Sequence, residues 1–128
     1  MKLQEALTYE DVLLVPQYSD ILSRKEVSLD STLSPHTFRL PIISSPMDTV
    51  TGTSMASSMA EAGGLGIIHR YCSVDEQAKM IRAVTGGMRA AAVGVTGDYH
   101  ERALALVAMG AQILCVDVAH GHHILMKN

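Results

Sequence analysis

Four short runs of apolar residues, spaced at nearly equal intervals, constrain this 128-residue chain more than any other feature. The runs lie at 41–45, 65–69, 91–95 and 113–117, and the marker residues Ile42, Ile67, Val93 and Cys115 are 25, 26 and 22 positions apart. Short runs that are apolar at nearly every position are typical of strands buried on both faces, as in a parallel sheet. We therefore expect four buried strands.

Each interval between two runs carries a helical pattern with its own start and stop signals. The first pattern ends at Gly63-Gly64, the second begins with a capping box of Ser73 and Glu76, and the third has Asp98 as its predicted N-cap. The apolar residues predicted to face the sheet are Met55, Ala56, Met59 and Ala60, then Val74, Ala78 and Ile81, then Ala103, Leu106 and Val107.

The resulting order of strands and helices predicts a right-handed parallel α/β layer. A doubly wound sheet and a (β/α)₈ barrel both fit this order. Residues 1–40 precede the regularly spaced runs and are predicted to be an extended lead-in of strands and turns, broken at Pro16 and Pro35. A barrel needs eight units and about 250 residues, so we expect this chain to be part of a longer polypeptide or to pair with the missing part. A complete small four-stranded domain is the alternative.

Composition excludes several classes of protein. The chain has 10 Lys+Arg and 13 Asp+Glu, a net charge of −3, which excludes a strongly basic nucleic-acid or membrane-surface protein. Its 48% of apolar residues excludes a disordered chain, and its 4% of aromatic residues argues against a stacking platform for single strands. The amino terminus lacks the apolar region of a signal peptide, and no run approaches the ~20 residues of a membrane span. We expect a cytoplasmic protein.

Polar residues follow each predicted strand, where parallel α/β folds bind their ligands. Asp117 ends a buried strand, where an unpartnered carboxylate is costly, so we favour a functional role for it. Asp48 either serves the site or caps the next helix. Adjacent histidines and the lack of a carboxylate at ligand spacing disfavour a metal site at His120, His122 and His123.

No catalytic nucleophile stands out. The two cysteines are 43 positions apart and form no CxxC pair, which excludes a thioredoxin-like motif or a zinc ribbon. Cys115 lies inside the fourth predicted strand and fits a core position, and Cys72 precedes a helix cap without a base nearby. The sequence contains no dinucleotide fingerprint and no phosphate-binding loop of the Walker type.

Four segments, in the same order along the chain, resemble the IMP dehydrogenase and GMP reductase family. Residues 7–16 resemble its opening signature, and residues 41–51, 63–70 and 117–122 resemble its first, second and fourth barrel strands with their loops. The resemblance implies a (β/α)₈ barrel, of which this chain carries the lead-in and about the first four strands. It also implies a homotetramer in which a loop cysteine attacks C2 of a purine nucleoside 5′-monophosphate and a nicotinamide cofactor exchanges a hydride.

The resemblance assigns roles to six residues. Ser45 and Met47 match positions that line the nucleotide pocket, where methionine offers an adaptable apolar wall. Asp117 and Ala119 match the loop near the nicotinamide ribose, and His69 and Arg70 match a loop on the cofactor side. The cofactor implied is NAD, or NADPH for a reductase, and the complete enzyme can use a monovalent cation such as K⁺.

The chain also departs from the family pattern. The loop with the nucleophilic cysteine is expected beyond residue 128, so this chain by itself is predicted to be inactive. Residues 77–87 run directly into the third predicted strand, leaving no room for the inserted pair of regulatory domains, so residues 1–128 are expected to be part of a single barrel domain. This fits GMP reductases and the minority of dehydrogenases that lack the insert.

The choice between the two activities rests on a few residues. Residues 44–51 look more like an IMP dehydrogenase, whereas Ser23-Arg24 and Asp117-Val118-Ala119 look more like a GMP reductase. We favour the dehydrogenase, which converts IMP to XMP. The alternative of another class is a non-catalytic nucleotide-binding or assembly module built from half a barrel.

Overall fold

The structure, a computed structural model, describes residues 3–127. Short 3₁₀ helices lie near the two ends, at Arg24–Glu26 and Ile124–Lys127. The strands and α-helices, in chain order, are β1 (Ser31–Leu33), β2 (His36–Phe38), β3 (Ile43–Ser44), α1 (Thr53–Ala62), β4 (Leu65–Ile68), α2 (Val74–Ala83), β5 (Ala90–Val93), α3 (Tyr99–Ala108) and β6 (Ile113–Val116).

Strands β3 to β6 form one parallel sheet in the order in which they occur along the chain. The registers pair Ile43 with Leu65, Ile67 with Ala90, and Ala90 with Ile113. One helix connects each strand to the next. The predicted parallel α/β layer is therefore confirmed, and each strand lies within a residue or two of the apolar run that predicted it. The expectation that all four strands are buried is wrong for β3 and β6, which are half-buried or exposed because each has a neighbouring strand on one side only within residues 3–127, whereas β4 and β5 are buried throughout.

The two faces of the sheet bury different side chains. On one face, Ala56 of α1, Ile81 of α2 and Leu106 of α3 join a single cluster with strand residues, so all three helices pack on the same side. On the other face, the alternate strand residues are covered by Phe38 and Met88, the first of which comes from the β1–β2 hairpin. The complete second cluster consists of Leu65, Ile67, Ala90 and Ala92 with Phe38, Met88, Ile113 and Cys115 around it.

The helix boundaries follow the predicted signals with one exception. Gly63 ends α1 in the left-handed conformation at φ +88°, and Ser73 with Glu76 forms both hydrogen bonds of the capping box. Asp98 occupies the N-cap position of α3, but its side chain makes no capping hydrogen bond. Its carboxylate accepts from Arg102 instead, because a guanidinium one turn away offers two charged donors. Asp98 is thus at the predicted N-cap position, and the exception is that its side chain does not cap α3.

Two residues of the predicted apolar stripes face outward. Met55 is 41% exposed and Val107 is 56% exposed. Successive helical residues are 100° apart, so Val107 points away from the sheet that buries Leu106. Each helix contacts the sheet along one side only, so fewer of its apolar residues are buried than the sequence pattern predicts.

The lead-in has the extended, turn-rich character predicted for it. No residue between Leu3 and Leu40 is buried, and the regular structure there is one 3₁₀ turn and the β1–β2 hairpin. None of the helices within residues 3–127 has the length and hydrophobicity of a membrane span.

Candidate functional site

The carboxyl ends of β3, β4, β5 and β6 lie at one edge of the sheet because all neighbouring strands are parallel. The four loops that follow, at 45–52, 69–73, 94–98 and 117–123, therefore share this edge. They contain all six residues to which the sequence assigned a binding role.

The loop after β3 is organised by a buried threonine. Thr51 is fully buried, and its hydroxyl donates to the Ser45 carbonyl at 2.6 Å and lies 2.9 Å from the Ser44 hydroxyl. The Thr51 amide closes a turn onto the Met47 carbonyl at 2.9 Å. Ser45 and Met47 themselves are exposed. Thr51 thus holds these two side chains at the surface of the edge, a function that sequence reasoning missed.

An ion pair joins the loops after β4 and β6. Arg70 Nε lies 3.3 Å from Asp117 Oδ2, and Arg70 Nη2 donates to the Asp117 carbonyl at 3.1 Å. The Asp117 amide continues the sheet by donating to the Val93 carbonyl at 2.9 Å. About a third of each side chain is exposed, so the carboxylate is neither in bulk water nor sealed. Sequence reasoning chose both residues but not their contact.

His69 links the loop after β4 to the loop after β3. Its amide donates to the Thr51 carbonyl at 3.2 Å, which ties the β4 loop to the β3 loop. Its ring Nδ1 accepts from the Tyr71 amide at 3.2 Å, and the two rings lie parallel with centroids 6.5 Å apart. The Arg70 guanidinium lies over the Tyr71 ring, 5.5 Å from its centroid. His69 is therefore a hydrogen-bonded histidine at a strand end.

The remaining candidates are less engaged. Ala119 lies exposed in the loop after β6, two positions beyond Asp117. Asp48 does not cap α1, because the N-cap position is occupied by Gly52. The three histidines of the 120–123 segment are exposed, and within residues 3–127 no three His, Cys, Asp or Glu side chains are arranged to hold a metal ion.

Neither cysteine has the environment of an activated nucleophile. Partial burial raises the pKa of the Cys72 thiol, although the nearby Arg102 opposes this effect. Burial also raises the pKa of Cys115, and the charge of Asp117 adds to the increase. Both thiols are consequently protonated at neutral pH.

Sequence reasoning also missed a buried polar network behind the edge. Gln77 is fully buried and Arg102 is 6% exposed, and the Arg102 guanidinium donates to the Gln77 side-chain oxygen at 2.8 Å. Two signals could have revealed it. Gln77 lies on the apolar stripe of α2 between Val74 and Ile81, where a polar side chain needs a partner, and Arg102 follows Asp98 by one helical turn.

Comparison with known proteins gives consistent matches. The sequence profile of the IMP dehydrogenase / GMP reductase domain matches residues 6–128. An inosine-5′-monophosphate dehydrogenase of Nitrosopumilus maritimus is 52% identical over 85 residues, which are 66% of this chain and 18% of that protein. A GMP reductase of Leishmania donovani is 49% identical over 83 residues, which are 64% of this chain and 17% of that protein. The chain therefore spans less than a fifth of the length of these relatives.

Proposed function

Because the chain belongs to the IMP dehydrogenase / GMP reductase family, we propose that it forms the amino-terminal part of a nicotinamide-dependent oxidoreductase acting on a purine nucleoside 5′-monophosphate. In this proposal the four strands begin a single (β/α)₈ barrel, and further polypeptide completes it. Helices on one face and strands in chain order support a barrel over a doubly wound sheet, which carries helices on both faces. The short connection at 84–89 between α2 and β5 supports a single domain without the inserted pair.

The observation that carries the proposal is the convergence of the family-like segments on one edge of the sheet. Ser45, Met47, His69, Arg70 and Asp117 come from three loops, and backbone or side-chain contacts connect these loops. The carboxyl ends of parallel strands are where α/β enzymes assemble their sites. In the proposed enzyme, Ser45 and Met47 contact the nucleotide, and Asp117 and Ala119, with His69 and Arg70, face the cofactor.

The residues of this edge suit a nicotinamide cofactor. The partly exposed Asp117 carboxylate can accept hydrogen bonds from ribose hydroxyls while Arg70 holds it in place. The cofactor, when bound, supplies the hydride acceptor or donor, and the polypeptide orients it. The nucleophilic cysteine belongs to a part of the enzyme outside this chain, which agrees with the raised pKa of Cys72 and Cys115.

We favour IMP dehydrogenase with NAD, and GMP reductase with NADPH is the second candidate. Residues 44–51 support the dehydrogenase, whereas Val118 and Ala119 after Asp117 support the reductase. Relatives named for each activity have similar identity to this chain, 52% and 49%. A cytoplasmic homotetramer completes the proposal.

The test uses the complete polypeptide that contains this chain. We expect NADH formation from IMP, or NADPH-dependent loss of GMP, and no turnover from residues 1–128 alone. A complete protein that binds either nucleotide without turnover would favour the non-catalytic module, and turnover by the 128-residue chain would disprove the assignment of the nucleophile.

Asp117→Ala tests the cofactor role. Charged hydrogen bonds contribute about 1.5–3 kcal/mol each, so the cofactor KM should rise on the order of 10- to 100-fold. The nucleotide Kd should change little, because Ser45 and Met47 lie on a different loop. Asp75→Ala, at an exposed position of α2, is the matched control. A lower Tm with unchanged cofactor kinetics would mean that Asp117 only anchors its loop.

A further inference from the structure

We propose that Gln77 and Arg102 are positioning residues that hold the β4 loop, with His69 and Arg70, in the geometry that the cofactor side of the edge requires. This inference rests on the proposed function. The two side chains lie on the helix face of the sheet and reach the candidate site only through the loops and strand ends that they bind.

Gln77 bridges the carboxyl ends of two strands. Its side-chain Nε2 donates to the Ala92 carbonyl of β5 at 2.8 Å and lies 3.4 Å from the Ile68 carbonyl of β4. The β4–β5 ladder has its last pair at Ile68 and Ala91, so the amide takes over where strand pairing stops. Buried carbonyls need such partners. Gln77 therefore holds β4 and β5 together close to where the loops after these two strands begin.

Arg102 connects Gln77 to the loop after β4 and to the loop after β5. Its Nη1 donates to Gln77 Oε1 at 2.8 Å, and its Nη2 donates to the Cys72 carbonyl at 3.0 Å. Two further hydrogen bonds, of 3.2 and 2.7 Å, reach the two carboxylate oxygens of Asp98. The planar guanidinium therefore binds α2, the β4 loop and the start of α3 at once, which the single ammonium of a lysine cannot reproduce.

Besides the backbone bond from His69 to Thr51, side-chain contacts hold the β4 loop at two points. Arg102 holds it at Cys72, on the helix side, and Asp117 holds it at Arg70, on the site side. Loss of the first point leaves Arg70 on a segment that can shift relative to Asp117. The turn at Met47 is closed by the Thr51 amide within the β3 loop, and neither Gln77 nor Arg102 donates to that loop, so nucleotide contacts there should be less affected.

The experiment uses Arg102→Lys and Arg102→Met in the complete enzyme, with Arg82→Met as the control. Arg82 is an exposed arginine in the last turn of α2, so its loss removes the same charge without touching the network. We expect the cofactor KM to rise about 10-fold in the Arg102 variants, because small displacements of binding groups cost this much or more. The nucleotide Kd should stay within about 2-fold of the unsubstituted value, and the control should match the unsubstituted enzyme.

Amide hydrogen exchange supplies a second measurement that needs no turnover. We expect faster exchange across residues 69–73 in Arg102→Lys, and unchanged exchange in β6. A lower Tm with neither effect, or equal losses in cofactor and nucleotide binding, would overturn the proposal. If the unsubstituted enzyme shows no turnover, the proposed function fails, and exchange at 69–73 alone decides whether Arg102 positions the loop.

Discussion

The lead-in and the α/β layer are made of similar residues but hold them very differently. Leu13 and Leu14 in the lead-in are 94% and 97% exposed, whereas Leu65 and Leu106 in the layer are 1% and 0% exposed. Apolar content alone therefore does not create a core. The layer buries its leucines because strand and helix periods place them on faces that meet. The lead-in packs on the sheet through Phe38 of its hairpin, and it leaves Leu13 and Leu14 exposed.

Hydrogen bonding divides the same two regions. Side-chain bonds in the lead-in join neighbours in sequence, such as Thr8 with Asp11 and Ser23 with Lys25. Those in the layer include Arg70 with Asp117, 47 positions apart, and Arg102 with Gln77, 25 positions apart. Contacts between sequence neighbours can persist in the unfolded chain, whereas contacts between distant residues break when the protein unfolds. Changes in the layer should therefore affect global stability more than matched changes in the lead-in.

The largest difference is expected for leucine truncation. Leu106→Ala should lower the free energy of unfolding by about 2–5 kcal/mol, because it removes buried methyl groups and leaves a cavity. Leu14→Ala should change the free energy by about 0.5 kcal/mol or less, because that side chain is exposed. Urea denaturation of both variants measures the two values. Equal losses would show that Leu14 packs against the layer.

A smaller effect is expected where α1 crosses β4. A Cβ added at Gly66 would lie 2.5 Å from the Ala56 Cα, so the helix or the strand must move. Gly66→Ala should cost about 1–3 kcal/mol, the usual range for overpacking. Gly121→Ala is the control, because nothing lies within 4 Å of the added atom. A stability loss at Gly121 comparable to that at Gly66 would contradict the close approach as the cause.

The two serine caps give a comparison of about 1 kcal/mol. Ser73→Ala removes the capping box of α2 and should destabilise the protein by about that amount. Ser23 makes the same kind of contact with the Lys25 amide, but its 3₁₀ helix buries no residue. Ser23→Ala should therefore leave the urea midpoint unchanged, and a shift there as large as that of Ser73→Ala would remove the distinction between the regions.

The smallest effect concerns acid. Hydrogen bonds from Arg102 lower the pKa of Asp98 below its ordinary value of 3.8, and hydrogen bonds from Thr8 lower the pKa of Asp11. A carboxyl whose pKa falls on folding stabilises the protein above its unfolded pKa, and this contribution disappears as the pH falls through the folded pKa. Asp98→Asn should thus cost about 1 kcal/mol or less at pH 7 and progressively less below about pH 4.

Asp11→Asn is the control for this pH dependence, since its Thr8 contacts span three positions and need not break on unfolding. Urea midpoints measured between neutral and acid pH distinguish the two carboxyls. A penalty for Asp98→Asn that stays constant down to pH 3, or one for Asp11→Asn that vanishes in acid, would contradict this account.

The layer was predictable from sequence because its signals are local. The strands were predicted by short apolar runs, and the helix ends by the Ser73–Glu76 capping box and by Gly63. Each of these signals determines the structure of only a few neighbouring residues. The contacts of the site were not predictable in the same way. The ion pair of Asp117 with Arg70 depends on the distance between β4 and β6, which are separated by β5. That distance cannot be derived from the spacing of the two residues along the sequence.

Pairing in chain order also has a consequence for the timing of folding. The paired residues Ile43 and Leu65, Ile67 and Ala90, and Ala90 and Ile113 are 22, 23 and 23 positions apart, so each strand finds its partner after closing a short loop. Ribosomes add 23 residues in about 1–5 s, whereas small loops close in well under a millisecond. Each strand can thus pair with the preceding strand soon after it leaves the ribosome, so the topology allows the layer to assemble from its amino end.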